Sequence, residues 1–210
     1  MKLKHLVVLL TLAISIAACD GTKPTVVVKS FVPPTVDQPI GKGLNIDAIA
    51  SQRGGLLTSA RTIVPIEYIA AELGKTVQDI VVKDSSPGGP GATHSSCFFK
   101  WSDFEVNNAG LLIQIMINPL GDEYPEYVEK FISSKKSLGE QDTEGEKILF
   151  QTLQGIGDDG AYSYEAGKYF WRLGDKVIMS IAFNSAHSEE GQYRIATSLA
   201  KQMINNYVKG

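Results

Sequence analysis

Lys168-Tyr169-Phe170-Trp171-Arg172-Leu173, then Gly174-Asp175, then the run from Val177 to Phe183, reads as strand, turn and strand. Aromatic and β-branched residues fill both runs, and the Gly-Asp pair between them has the chemistry of a hairpin turn. Gly167 marks another turn just upstream, and Tyr162 to Tyr164 a further strand. Consecutive hairpins build an antiparallel sheet and argue against a parallel, doubly wound one.

The rest of the chain extends this pattern. Cys97 to Trp101 and Leu111 to Ile117 pair around Asn107-Asn108-Ala109-Gly110, and Pro119 stops the second. Ile80 to Val82 and Ile148 to Leu153 are short strands, and Ser85 to Gly91 is a Gly/Pro loop. Pro65 suits the first turn of a helix whose inner face is Ile66, Ile69, Ala70 and Leu73, ended by Gly74. A second helix is expected from Asp122 to Ser134, followed by a polar stretch from Lys135 to Glu146 that is a loop or a frayed extension of it. Ser188 caps a third, in which Ala196, Leu199, Ala200, Met203, Ile204 and Tyr207 recur at helical spacing. The expected fold is α+β, an antiparallel sheet with about three helices packed mainly on one face.

Composition narrows the function classes. The chain has 210 residues, 43% of them hydrophobic, enough for a proper core without disulfides. Its formal net charge of -3 offers no basic footprint for nucleic acid. Cys19 and Cys97 are its two cysteines, and Phe98, Phe99 and Trp101 beside Cys97 favour a buried thiol.

Two motifs invite catalytic or cofactor readings and neither survives its own chemistry. Gly155-Ile156-Gly157-Asp158-Asp159-Gly160 has the spacing of a dinucleotide loop, but a strand follows where a helix must hold the pyrophosphate. Its two aspartates would also oppose phosphate. The same acids, with Glu165, suggest calcium, yet the alternating ligands of an EF-hand are missing, so a tight turn is expected. His94 and Cys97 straddle a loop-to-strand junction three residues apart, which points them to opposite faces of a strand. With no third group to orient a base, the chain is expected to have no catalytic residues, metal site or cofactor and not to be an enzyme.

The start of the chain carries a more specific signal. Lys2 and Lys4, an apolar run from Leu6 to Ile16 and small residues before Cys19 have the make-up of a secretory signal peptide. The run is shorter than the roughly 20 residues of a bilayer span. Ile16-Ala17-Ala18-Cys19 resembles the lipobox of bacterial lipoproteins. The resemblance implies cleavage between Ala18 and Cys19, diacylglycerol on the Cys19 sulfur and usually a further acyl chain on its amine. Asp20 then favours retention at the inner membrane, with the domain facing the periplasm. Cleavage removes two lysines and no acid, taking the charge from -3 to -5. Residues 19–43, with Pro24, Pro33, Pro34 and Pro39, read as a tether with a reach of roughly 25–30 Å. The organisation expected is signal peptide 1–18, lipidated tether 19–43 and one domain over 44–210.

The domain resembles a broad group of small α+β envelope lipoproteins without assigned activity. The likeness rests on Ser96-Cys97-Phe98-Phe99-Lys100-Trp101, the Gly155-Ile156-Gly157-Asp158 turn with Ala161-Tyr162, and the Gly-Asp hairpin. It implies a non-catalytic module. A macromolecular partner is therefore expected, one concrete version being an immunity or inhibitor protein that meets a basic partner through Asp122, Glu123, Glu126, Glu140, Asp142, Glu144 and Glu146. Tyr162 and Tyr164 share one strand face and Tyr169 and Trp171 another. These four are the candidate contact residues if one set is exposed, and core residues if they lie under the helices. The alternative function is a small-molecule carrier or sensor with a cavity between helices and sheet.

Overall fold

A computed structural model describes residues 31–36, 38–85 and 91–210. Ile16, Ala17, Ala18, Cys19 and Asp20, with the first part of the expected tether, lie outside the described residues, as do loop residues 86–90.

Four α-helices and nine strands are present among the described residues. Helix α1 (Ile46–Arg53) starts where the Asn45 side chain accepts from the Ala48 amide and ends at left-handed Gly54. Helix α2 (Ile66–Leu73) is entered through Pro65 and closed by Gly74 at φ +64°, with Ile69, Ala70 and Leu73 buried. Strands β1 (Val81–Asp84), β2 (His94–Lys100) and β3 (Gly110–Ile117) form one antiparallel meander. Helix α3 (Tyr127–Leu138) follows, then the small hairpin of β4 (Glu140–Gln141) and β5 (Lys147–Ile148). Strands β6 (Gln151–Thr152), β7 (Asp159–Ser163), β8 (Lys168–Leu173) and β9 (Val177–Asn184) form a second meander, and α4 (Glu189–Lys209) ends the fold. The Ser188 hydroxyl caps α4 by accepting from the Gly191 amide.

The two meanders join along β3 and β9, giving the seven-stranded order β1-β2-β3-β9-β8-β7-β6. Alternation decides which side chains meet the helices. Phe99, Leu111, Ile113, Ile115, Trp171, Met179 and Ile181 share one face and pack with the buried residues of α1, α2 and α4. The opposite face carries a smaller cluster, in which Ile132 of α3 meets Ile148, Phe150, Ala161 and Phe170. The fold is α+β, with three helices on one face of the antiparallel sheet and α3 on the other.

Three local departures from the sequence reading have physical causes. Helix α3 begins later than Asp122 because Pro125 holds the preceding Tyr124 in an extended conformation (φ -144°), leaving only a short 3-10 turn at Gly121–Glu123. The run Ile148 to Leu153 is not one strand. Its first residue pairs within the β4–β5 hairpin, whereas Gln151 and Thr152 pair with β7. Described residues ahead of Leu44, from Phe31 on, also pack with the domain. Phe31 packs on Tyr193 with ring centres 5.3 Å apart, and Ile40 bridges Ile156 through two backbone hydrogen bonds with Gly155 and Gly157. Prolines keep this segment extended, and an extended chain suits docking along a sheet edge.

The polar stretch after α3 is held by a charged clip. Glu140 accepts from Lys135 and Lys168, each at 2.5 Å, with its carboxylate largely shielded from solvent. Burial pushes the Glu140 carboxyl up, but the two ammonium groups outweigh it and hold the group below its ordinary value. A depressed carboxyl stabilises the fold fully above its unfolded value of roughly 4.3, and that contribution disappears as pH falls through the folded value. Glu140→Gln is expected to cost about 1–3 kcal/mol at neutral pH. Thermal melts at descending pH check the assignment: the deficit of the variant should hold down to roughly pH 4.3 and shrink only as pH falls further, through the depressed folded value.

Candidate functional site

The aromatic residues first expected to make partner contacts are mostly core. Tyr162 stands opposite Tyr169, their rings stacked 5.5 Å apart at 13°, and Tyr193 of α4 closes on both edge-on. Trp171 lies beside them on β8. All three strand residues are fully buried. The contact strip proposed at Tyr162, Tyr169 and Trp171 is thus corrected: their shared face is the one under α4. Burial pushes the Tyr162 hydroxyl up to about 12, and Glu189 and Tyr193 add to the effect. Tyr164 alone of the four is open, at 41% exposure, because it lies past the end of β7. Its hydroxyl donates to the His187 carbonyl at 3.1 Å.

The Gly155–Gly160 loop is a structural staple. Asp158 accepts from the Gly43 amide through one oxygen and the Gly174 amide through the other, both at 2.7 Å. It therefore ties the N-terminal segment to the β8–β9 turn. Asp159 accepts from Lys136 through both oxygens, and from the Gly160 amide. Strand β7 follows at once. No group of three His, Cys, Asp or Glu among the described residues is arranged to hold a metal ion.

His94 and Cys97 stand on opposite faces of β2, as their spacing requires. His94 is exposed, while Cys97 is in the main core. Burial pushes the Cys97 thiol up to about 11, with Asp84 adding and Arg61 opposing. A thiol so protonated is a packing group. The acidic stretch is divided too. Glu140 is committed to Lys135 and Lys168, Glu126 pairs with Lys130, and Asp142 caps its own hairpin through the Glu144 and Glu146 amides.

One end of the sheet combines an exposed aromatic with a cleft. The β2–β3 loop there presents Phe104 with a fully exposed ring, on a backbone fixed by Asp103, which accepts from the Glu105 and Val106 amides. The Asn184 amide at the end of β9 donates to the carbonyls of Asn107 and Asn108, joining that loop to its neighbour. Beyond Asn184, a cleft of about 410 Å³ opens between the β7–β8 turn and the start of α4. Tyr164, Phe183, Asn184, Ser185 and Gln192 line it. Phe31 reaches the same end through Tyr193. Sequence reasoning missed Phe104 and Gln192. The signal for Phe104 was a single aromatic between Asp103 and Glu105 in a turn segment. Gln192 gave none, since a glutamine near a helix start reads as surface.

These features define an α+β domain with its aromatic strand residues in the core and an exposed aromatic and a cleft at one sheet end. No family model matches the chain, and no similar protein was found among curated sequences or solved structures.

Proposed function

We propose that this chain is a lipid-anchored, non-catalytic protein of the cell envelope whose domain binds a macromolecular partner. The lipobox letters Ile16-Ala17-Ala18-Cys19 support the anchor, and Asp20 favours its retention at the inner membrane, with the domain facing the periplasm. The binding role is carried by Phe104, whose ring is wholly exposed on a hydrogen-bonded loop. An exposed aromatic on a fixed backbone is a typical binding hot spot, because little entropy is lost on contact. Tyr164 and the cleft beside Asn184 extend the same surface. The immunity or inhibitor version remains one form of this reading, with the exposed Glu123, Glu144 and Glu146 available to a basic surface.

Capture from envelope extracts, with the full chain and its Phe104→Ala variant compared, tests the contact. The variant should melt within ~0.5 kcal/mol of the parent, as exposed-site changes do, yet lose the partner. Equal capture by both would remove Phe104 from the interface. Mass spectrometry of the chain and of Cys19→Ser tests the anchor separately, the parent alone gaining the lipid mass.

A further inference from the structure

We infer that the cleft between the β7–β8 turn and the start of α4 binds a neutral polyhydroxylated ring, the chemistry of a sugar unit. This deepens the binding-module reading, on which it rests, by giving the partner's chemistry as glycan.

The central observation is Gln192. Its side chain is only 3% exposed, and its Oε1 accepts from the Tyr169 hydroxyl at 3.2 Å. The amide nitrogen has no acceptor among the described residues, and Gln192 is one of the residues lining the cleft. A residue with two uncommitted N–H donors, its side-chain oxygen fixed by Tyr169, thus lines a cleft of about 410 Å³, within the roughly 300–1,000 Å³ of small-ligand sites. Buried donors are normally paired, and an open one facing a cleft is suited to a ligand acceptor.

The walls set the ligand's class. Tyr164 stands at one side, its ring steadied by the bond to the His187 carbonyl, and Phe183 contributes apolar surface. Among the described residues of the lining, Glu165 is the one ionisable acid and there is no Lys or Arg. Phosphate and carboxylate ligands therefore meet no counter-charge. An ammonium ligand would meet Glu165 but would present no acceptor to Gln192. A ring bearing hydroxyls satisfies both, because each hydroxyl accepts from the amide and donates to the carboxylate or to the free Asn184 oxygen. Its C–H face can lie on an aromatic ring.

Ligand-observed saturation-transfer NMR on the full chain in detergent tests this, with glucose, N-acetylglucosamine and tetramethylammonium as probes. At least one sugar should receive saturation, with millimolar affinity. Gln192→Leu should weaken it on the order of tenfold, the loss expected for a missing hydrogen bond. Glu165→Ala, at an exposed position that leaves the core untouched, should weaken it several-fold and guards against misfolding of the first variant. No transfer to either sugar overturns the site, as does transfer unchanged in both variants. Tetramethylammonium binding that depends on Glu165, without sugar binding, also overturns it. Failure here with Phe104-dependent capture intact would reject the glycan and leave the binding module standing.

Discussion

Replacing Trp171 with alanine is expected to destabilise the domain by about 3–5 kcal/mol, a large share of the 5–15 kcal/mol that holds a typical domain folded. The indole is fully buried at the centre of the main core, opposite Gly160 on β7 and Met179 on β9. Removing it leaves a cavity between sheet and α4 that the stacked pair Tyr162 and Tyr169 cannot fill, since their hydroxyls are fixed by Gln151 and Gln192. Chemical denaturation measures the loss. Trp171→Phe gives the control, because the indole N–H has no hydrogen-bond partner among the described residues. The phenylalanine variant should therefore lose only packing, about 1–2 kcal/mol. If Trp171→Ala melts like the parent while partner capture falls, the residue belongs to an interface and the core assignment fails.

Gly157→Ala is the second large effect. Gly157 has φ +65°, and a Cβ there would lie 2.3 Å from the Arg172 carbonyl oxygen, with Trp171 close behind. The left-handed conformation costs an ordinary residue about 1–2 kcal/mol. The overlap is with backbone of β8, so it cannot be relieved by a side-chain rotation. Relief requires the loop to lift, which would pull Asp158 from the Gly43 and Gly174 amides and break the Gly157 bond to Ile40. A total above ~3 kcal/mol is expected, with hydrogen exchange rising across residues 40–43 before the global transition. Gly55→Ala, where no atom lies within 4 Å, should be near neutral. A Gly157→Ala domain as stable as the parent would show that the staple is not structural.

These two effects also mark what could be read from the letters alone. Strand β8 and its turn were legible because alternating large residues ended on Gly174-Asp175, and α2 because Pro65 and Gly74 bracket one apolar face. Helix α1 was not, since only Ile46 and Ile49 are buried in eight residues, too few to set a period. The exposure of the aromatics could not be read because alternation assigns residues to two faces without saying which face α4 covers. Asp158 looked like a turn residue and is one, but its bond to Gly43 spans 115 positions, beyond any local pattern. The surface end was hidden for the same reason. Phe104, Tyr164 and Gln192 come together only after β2–β3, β7–β8 and α4 are laid side by side.

The segment from Phe31 to Gly43 has a mechanical consequence. It runs from Tyr193 at the start of α4 to Ile204 near its end, so residue 31 is delivered to the end of the sheet that carries Phe104. A tug between a partner held there and whatever precedes residue 31 would cross that end of the domain. It would not run along the strands or load their ladders in shear. The load would instead fall first on the Phe31–Tyr193 contact and then on the Ile40–Ile156 bridge. Under tension the domain should therefore pay out its leading segment, about a dozen residues, while the sheet stays whole.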